Sequence, residues 1–134
     1  MVDRTEAFEL TVHFATTPEA IYRAWISAEL HADFTQAAAT SDPVAGGGFT
    51  AWDGYILGTH LELQPFERIV QHWRTGEFPE GAPDSRVEIT LQAREGGTLL
   101  TLRHTEIPHG EGDRYKQGWV DFYFEPLGEW LQTA

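Results

Sequence analysis

The chain has 134 residues, nine basic and twenty-one acidic, for a formal net charge of −12 and a sequence pI near 4.7. That length fits one domain, large enough to bury a core and too short for two. The charge opposes binding to phosphate backbones and anionic headgroups, and the absence of cysteine excludes disulfides, thiolate metal sites, iron–sulfur clusters and cysteine nucleophiles. Five Trp, four Tyr and eight Phe supply ample material for a core. No apolar run approaches the ~18 residues of a membrane span, and the opening MVDRTEAFEL lacks the apolar centre of a signal peptide. The expectation is a cytoplasmic domain over residues 1–134 that binds neither nucleic acid nor membrane.

Phe8, Leu10, Val12 and Phe14 alternate with polar residues, which predicts a strand with one buried face. Thr17-Pro18-Glu19 then reads as a helix start, with Thr17 as N-cap and Pro18 in the first turn. Ile21, Tyr22, Trp25 and Ile26 form its apolar stripe, and Ser27-Ala28-Glu29 opens a second short helix ending near Phe34.

From about residue 37 to residue 105 the signals are strands separated by turns. Phe49 to Trp52 is followed by Asp53-Gly54, which predicts a two-residue hairpin turn with Trp52 and Tyr55 as a cross-strand aromatic pair. Pro65-Phe66-Glu67 turns the next strand into Arg68–Arg74. After the loop 76–84, Val87, Ile89, Leu91 and Ala93 alternate with polar residues. Gly96-Gly97 then reverses the chain into Thr98–Thr105.

Residues 111–132 read as a long amphipathic helix on the stripe Tyr115, Trp119, Phe122/Tyr123, Leu127 and Trp130. Pro126 is expected to kink it. The sum is an α+β domain: about six to seven antiparallel strands, two short helices after the first strand, and a final helix covering one face of the sheet. Such packing commonly leaves a concave apolar site.

Three stretches, GGGFTAWDGYILGTHLELQPFERIVQHWR, TLLTLRHTEIP and GWVDFYFEPLGEWL, carry a family resemblance. Gly58, Pro65, Trp73-Arg74, His104 and Gly118-Trp119 occur in the matching order. The chain resembles the carboxy-terminal domain of the activator of heat shock protein 90 ATPase and its stand-alone bacterial homologues, within the START-like (SRPBCC) superfamily. The resemblance implies the helix-grip fold, a curved sheet wrapped on a long C-terminal helix. It also implies one of three roles: a cavity binding an apolar or aromatic small molecule, a co-chaperone contact with heat shock protein 90, or a polyketide cyclase-like enzyme. The eukaryotic activators have a separate amino-terminal domain for much of the chaperone contact. A 134-residue chain leaves no room for it, which ranks the chaperone role below cavity binding.

The residues expected to line the cavity are Trp52, Tyr55, Leu61, Gln71, Trp73, His104, Trp119 and Tyr123. The turn at Pro65 predicts that Leu63 faces Ile69, Leu61 faces Gln71 and Thr59 faces Trp73, with Leu61, Gln71 and Trp73 inward. Gln71 then either orients a polar ligand head or simply satisfies a strand neighbour beside a core indole. The same register sets His60 opposite His72 on the outer face near Glu62 and Arg74, read as solvated surface rather than a metal site. His104 shares the inward parity of Leu100 and Leu102 at a strand end. A histidine there either serves as acid, base or ligand donor, alone or with Gln71 or Tyr123, or bonds to its neighbours as structure. His31 and His109 suggest no role. Neither a catalytic constellation nor a cofactor motif emerges, which favours binding over catalysis.

Overall fold

The computed structural model describes residues 5–133. Strand β1 (Thr5–Phe14) leads to helices α1 (Pro18–Ile26) and α2 (Ala28–Thr35). A short β2 (Thr40–Ser41) and β3 (Gly48–Ala51) precede β4 (Ile56–Gln64), β5 (Arg68–Thr75), β6 (Ser85–Arg94) and β7 (Gly97–Pro108). The chain ends in α3 (Gly112–Trp119), a π-helical turn (Val120–Phe124) and α4 (Glu125–Thr133). The seven strands form one antiparallel sheet in the order β1-β7-β6-β5-β4-β3-β2, so the first strand closes the far edge beside the last. This is the helix-grip architecture.

Local chemistry accounts for the element ends. The Thr17 side chain accepts the Ala20 N–H and Ser27 accepts that of Leu30, so each short helix begins on a capping hydroxyl. At the start of α3, Glu6 of β1 reaches across to accept the backbone N–H groups of Gly110 and Gly112, at 2.9 and 2.7 Å. Those bonds favour the carboxylate and lower its pKa. They also fix where the C-terminal helix leaves the sheet.

Ile69, Val87, Ile89, Leu100 and Leu102 are fully buried on the concave face. Against them pack Ile21, Trp25 and Phe34 of the short helices and Tyr115, Trp119, Tyr123 and Leu127 of the C-terminal segment. That segment changes pitch where a kink is expected. The Glu125 N–H bonds to the Val120 carbonyl five residues back, and Pro126, with no N–H and a ring that crowds the preceding turn, follows at once.

Two register expectations are corrected. Leu63 does face Ile69, but the ladder then slips: Glu62 faces Val70, and His60, not Leu61, faces Gln71. Leu61 is the extra residue of a β-bulge and turns outward, 38% exposed, while His60 is 1% exposed. A bulge inverts every side chain beyond it, so Trp73 faces Gly58 rather than Thr59. Glycine is required at 58, because a Cβ there would lie 2.0 Å from the His72 carbonyl oxygen and 2.7 Å from the Phe49 ring.

The second correction concerns residues 52–55. Ala51 pairs with Ile56, so Trp52 and Tyr55 belong to a four-residue connection and are not a cross-strand pair. Trp52, Asp53 and Gly54 all take left-handed backbone, with φ of 53°, 59° and 90°. Asp53 anchors this strained turn: its N–H donates to the Ala38 carbonyl at 3.0 Å and its Oδ1 accepts the Ala38 N–H at 2.9 Å. A bulky residue in that region costs about 1–3 kcal/mol, which the Ala38 bonds help to offset.

Candidate functional site: an aromatic cleft under the C-terminal helix

The strained turn and the C-terminal helix stand opposite one another and enclose a cleft of about 330 Å³. Trp52, Tyr55 and Ile56 form one wall, Trp73 of β5 the base, and Arg114, Tyr115, Gly118, Trp119, Phe122 and Tyr123 the other wall. The helical residues recur every three or four positions and so share a face. Gly118 opens that face, since a Cβ there would meet only Phe122, at 3.9 Å. The rings interlock: Trp52 lies edge-on to Phe122 at 5.7 Å, Trp119 and Tyr123 are 4.8 Å apart, and Trp73 sits edge-on to Tyr115 at 5.2 Å.

At the rim, Tyr55 donates to Glu77 Oε2 at 2.9 Å. Arg114 pairs with the same Glu77 and with Glu111, and its guanidinium lies 5.1 Å above the Tyr115 ring centroid. Deeper in, Tyr115 and Thr75 share a hydrogen bond of 2.6 Å, and Thr75 also accepts the Glu77 N–H.

Five of the eight expected residues thus meet at the cleft: Trp52, Tyr55, Trp73, Trp119 and Tyr123. Leu61 is outside on its bulge. Gln71 donates to His60 Nδ1 at 3.3 Å, and both line a separate void of about 10 Å³, space for one water molecule. His60 Nε2 in turn meets Ser41 Oγ at 3.0 Å, and burial lowers the pKa of the ring. The supposed outer pair of His60 and His72 therefore does not exist.

His104 lies behind the cleft wall and does not line it. The Trp119 indole N–H donates to His104 Nδ1 at 3.1 Å, so Nε2 carries the proton and donates to Ser85 Oγ at 2.8 Å, and Ser85 donates to the Trp73 carbonyl at 2.7 Å. The imidazole is fully buried, and burial pushes its pKa down to about 3. A neutral ring with both nitrogens engaged is a structural pin between β7, β6 and the helix.

His31, read from the sequence as having no role, supports the cleft from behind. Its Nδ1–H donates to the Trp25 carbonyl and its Nε2 accepts the Tyr123 hydroxyl, each at 2.9 Å. Burial lowers its pKa to about 4 and raises that of Tyr123. The phenol is therefore a fixed, neutral group facing the cleft.

The sequence reading missed Ile56, Arg114, Tyr115, Gly118 and Phe122 as lining residues. Helical spacing from Trp119 would have found Tyr115 and Phe122, whereas Ile56 was hidden by the hairpin reading. Among the described residues no group of three or more His, Asp or Glu gathers as a metal site, and no helix is long and apolar enough to cross a membrane.

An open antiparallel sheet gripping one long helix, with an aromatic cleft at the free end of the grip, defines a START-like domain. The family model described as "Activator of Hsp90 ATPase homolog 1-like protein" matches residues 15–132, and the chain belongs to that family. It is 38% identical over 114 residues to the human "Activator of 90 kDa heat shock protein ATPase homolog 1", covering 85% of this chain and 33% of that protein. It is 30% identical over 117 residues to the Dictyostelium discoideum homolog, covering 86% and 30%. The chain thus spans about a third of the length of these relatives. The crystal structure of an HSP90 activator from Plasmodium falciparum superposes with a TM-score of 0.87 at 27% identity, covering 94% of this chain and 96% of that one.

Proposed function

We propose that this chain is a non-catalytic binding domain whose cleft takes up an apolar or aromatic group. The observation that carries this reading is the cleft itself. Its volume of about 330 Å³ falls in the range of small-molecule sites, and its walls are seven aromatic rings with Ile56, Arg114 and Gly118. Of the histidines around the cleft, His31 and His104 are neutral and committed to other partners, which supports binding over proton transfer. The test is fluorescence titration with the neutral probe N-phenyl-1-naphthylamine. We expect saturable binding with quenching of Trp emission, abolished in Gly118→Phe, whose added ring fills the cleft. A probe that binds both forms equally would show that the site lies elsewhere.

A second reading, a contact with heat shock protein 90, is favoured by the relatives named as activators of that chaperone's ATPase. On this reading the chain supplies one domain's worth of the contact. Co-sedimentation with the chaperone from the same source tests it, and an absence of complex at tens of micromolar protein would reject it.

A further inference from the structure

Arg114 is the one charged side chain lining the cleft among the described residues. It is not free to receive an anion. Glu77 and Glu111 both pair with it, so this part of the rim carries one positive and two negative charges. The Arg114 guanidinium already rests on the Tyr115 ring, which shows that a ring face of this wall accepts a cation. Asp53 and Asp121 directly adjoin Trp52 and Phe122 in the chain, and the molecule as a whole carries −12.

From these facts we infer that the cleft selects an apolar organic cation, an aryl- or alkylammonium, over a carboxylate of similar shape. The inference rests on the proposed reading of the cleft as a ligand site. Two physical effects act in the same direction. Aromatic faces carry negative quadrupole density that attracts a weakly hydrated ammonium, most strongly when Trp supplies the face and water is excluded. The field of an acidic molecule concentrates cations and repels anions, and a cleft with low-dielectric walls focuses that field. A carboxylate entering the cleft would have to displace Glu77 or Glu111 from Arg114 to gain a cationic partner. An ammonium needs no such exchange.

The experiment is displacement of bound N-phenyl-1-naphthylamine by benzyltrimethylammonium and by 3-phenylpropionate. At low salt the ammonium should displace the probe at a concentration about tenfold lower than the carboxylate, with the gap narrowing as salt is raised. Arg114→Gln removes the one cation of the wall and leaves Glu77 and Glu111 without their shared cationic partner, so it should tighten the ammonium about threefold or more. Glu77→Gln keeps an acceptor for the Tyr55 hydroxyl while partly releasing Arg114, so it should weaken the ammonium and strengthen the carboxylate. Equal displacement by the two compounds, or an Arg114→Gln protein that binds the ammonium more weakly, would overturn the inference while leaving the cleft as a site for neutral ligands. Failure of all three compounds to bind would remove the cleft reading as well.

Discussion

The indole N–H of Trp119 donates to Nδ1 of His104 at 3.1 Å, and this bond decides what the histidine can do. Because an indole only donates, Nδ1 must accept, the proton sits on Nε2, and the chain continues through Ser85 to the Trp73 carbonyl. The C-terminal helix is thereby bolted to β7, β6 and β5 at one point. His104→Ala should therefore act on folding, with a loss of about 2–5 kcal/mol from the cavity and the orphaned Trp119 and Ser85 groups. Trp119→Ala should cost about 3–5 kcal/mol. Urea denaturation measures both. A His104→Ala protein as stable as the parent would contradict the pinning role.

Two buried imidazoles, His31 and His104, make stability depend on acid. His31 and His104 have folded-state pKa values of about 4 and 3, against about 6.5 unfolded. Between those limits the unfolded chain binds protons that the folded one refuses, so stability rises with pH there and is complete above about 6.5. Acidification from pH 6.5 toward 4 should lower stability by up to about 1.4 kcal/mol per pH unit for each ring. Urea midpoints at pH 7, 6 and 5 give the slope, and His31→Asn should flatten it. A stability independent of pH between 7 and 5 would refute the neutral assignment.

Gly118 separates the cleft from the core energetically. Gly118→Ala adds a methyl where only Phe122 comes near and gains helix propensity, so it should stabilise by about 0.5–1 kcal/mol. Thermal unfolding tests this. Destabilisation by the methyl group would mean that the helix face is closed rather than open at that point.

Much of the fold was legible because burial imposes a period. Phe8 to Phe14 and Val87 to Leu91 follow strict alternation, though Ala93 is exposed, and Thr17-Pro18 and Ser27 mark helix starts that the capping bonds bear out. Legibility failed where one residue breaks the period. The bulge at Leu61 leaves no mark in the pattern, and hydropathy misleads there, since the leucine is outside and the histidine inside. The Asp53-Gly54 turn failed for a different reason: the bonds of Asp53 to Ala38, fifteen residues away, select a left-handed turn that no local rule specifies. Those two breaks misplaced Leu61 and hid Ile56, while Gln71 points inward as expected but bonds to His60 rather than lining the cleft. His104 was placed on the correct face, but its three-partner chain depends on Trp119 and Ser85 arriving from distant elements.

The bulge makes its own prediction. Leu61→Lys should change stability by about 0.5 kcal/mol or less, because the side chain is already in solvent. His60→Lys would place an unpaired ammonium among Ser41, Gln71 and Phe49 and should cost more than about 3 kcal/mol. Guanidinium melts of the pair read the register, and the reverse ranking would restore the unbulged ladder.

Ligand entry at the aromatic cleft is reported directly by the five indole N–H resonances. Trp52, Trp73 and Trp119 line the cleft, whereas Trp130 donates to Asp33 at 2.7 Å and is not part of its wall. Titration of nitrogen-15-labelled protein with N-phenyl-1-naphthylamine should shift the Trp52, Trp73 and Trp119 signals together and saturably, leaving Trp130 in place. Shifts confined to Trp130, or no shift in any indole at saturating probe, would mean that the cleft is not the ligand site.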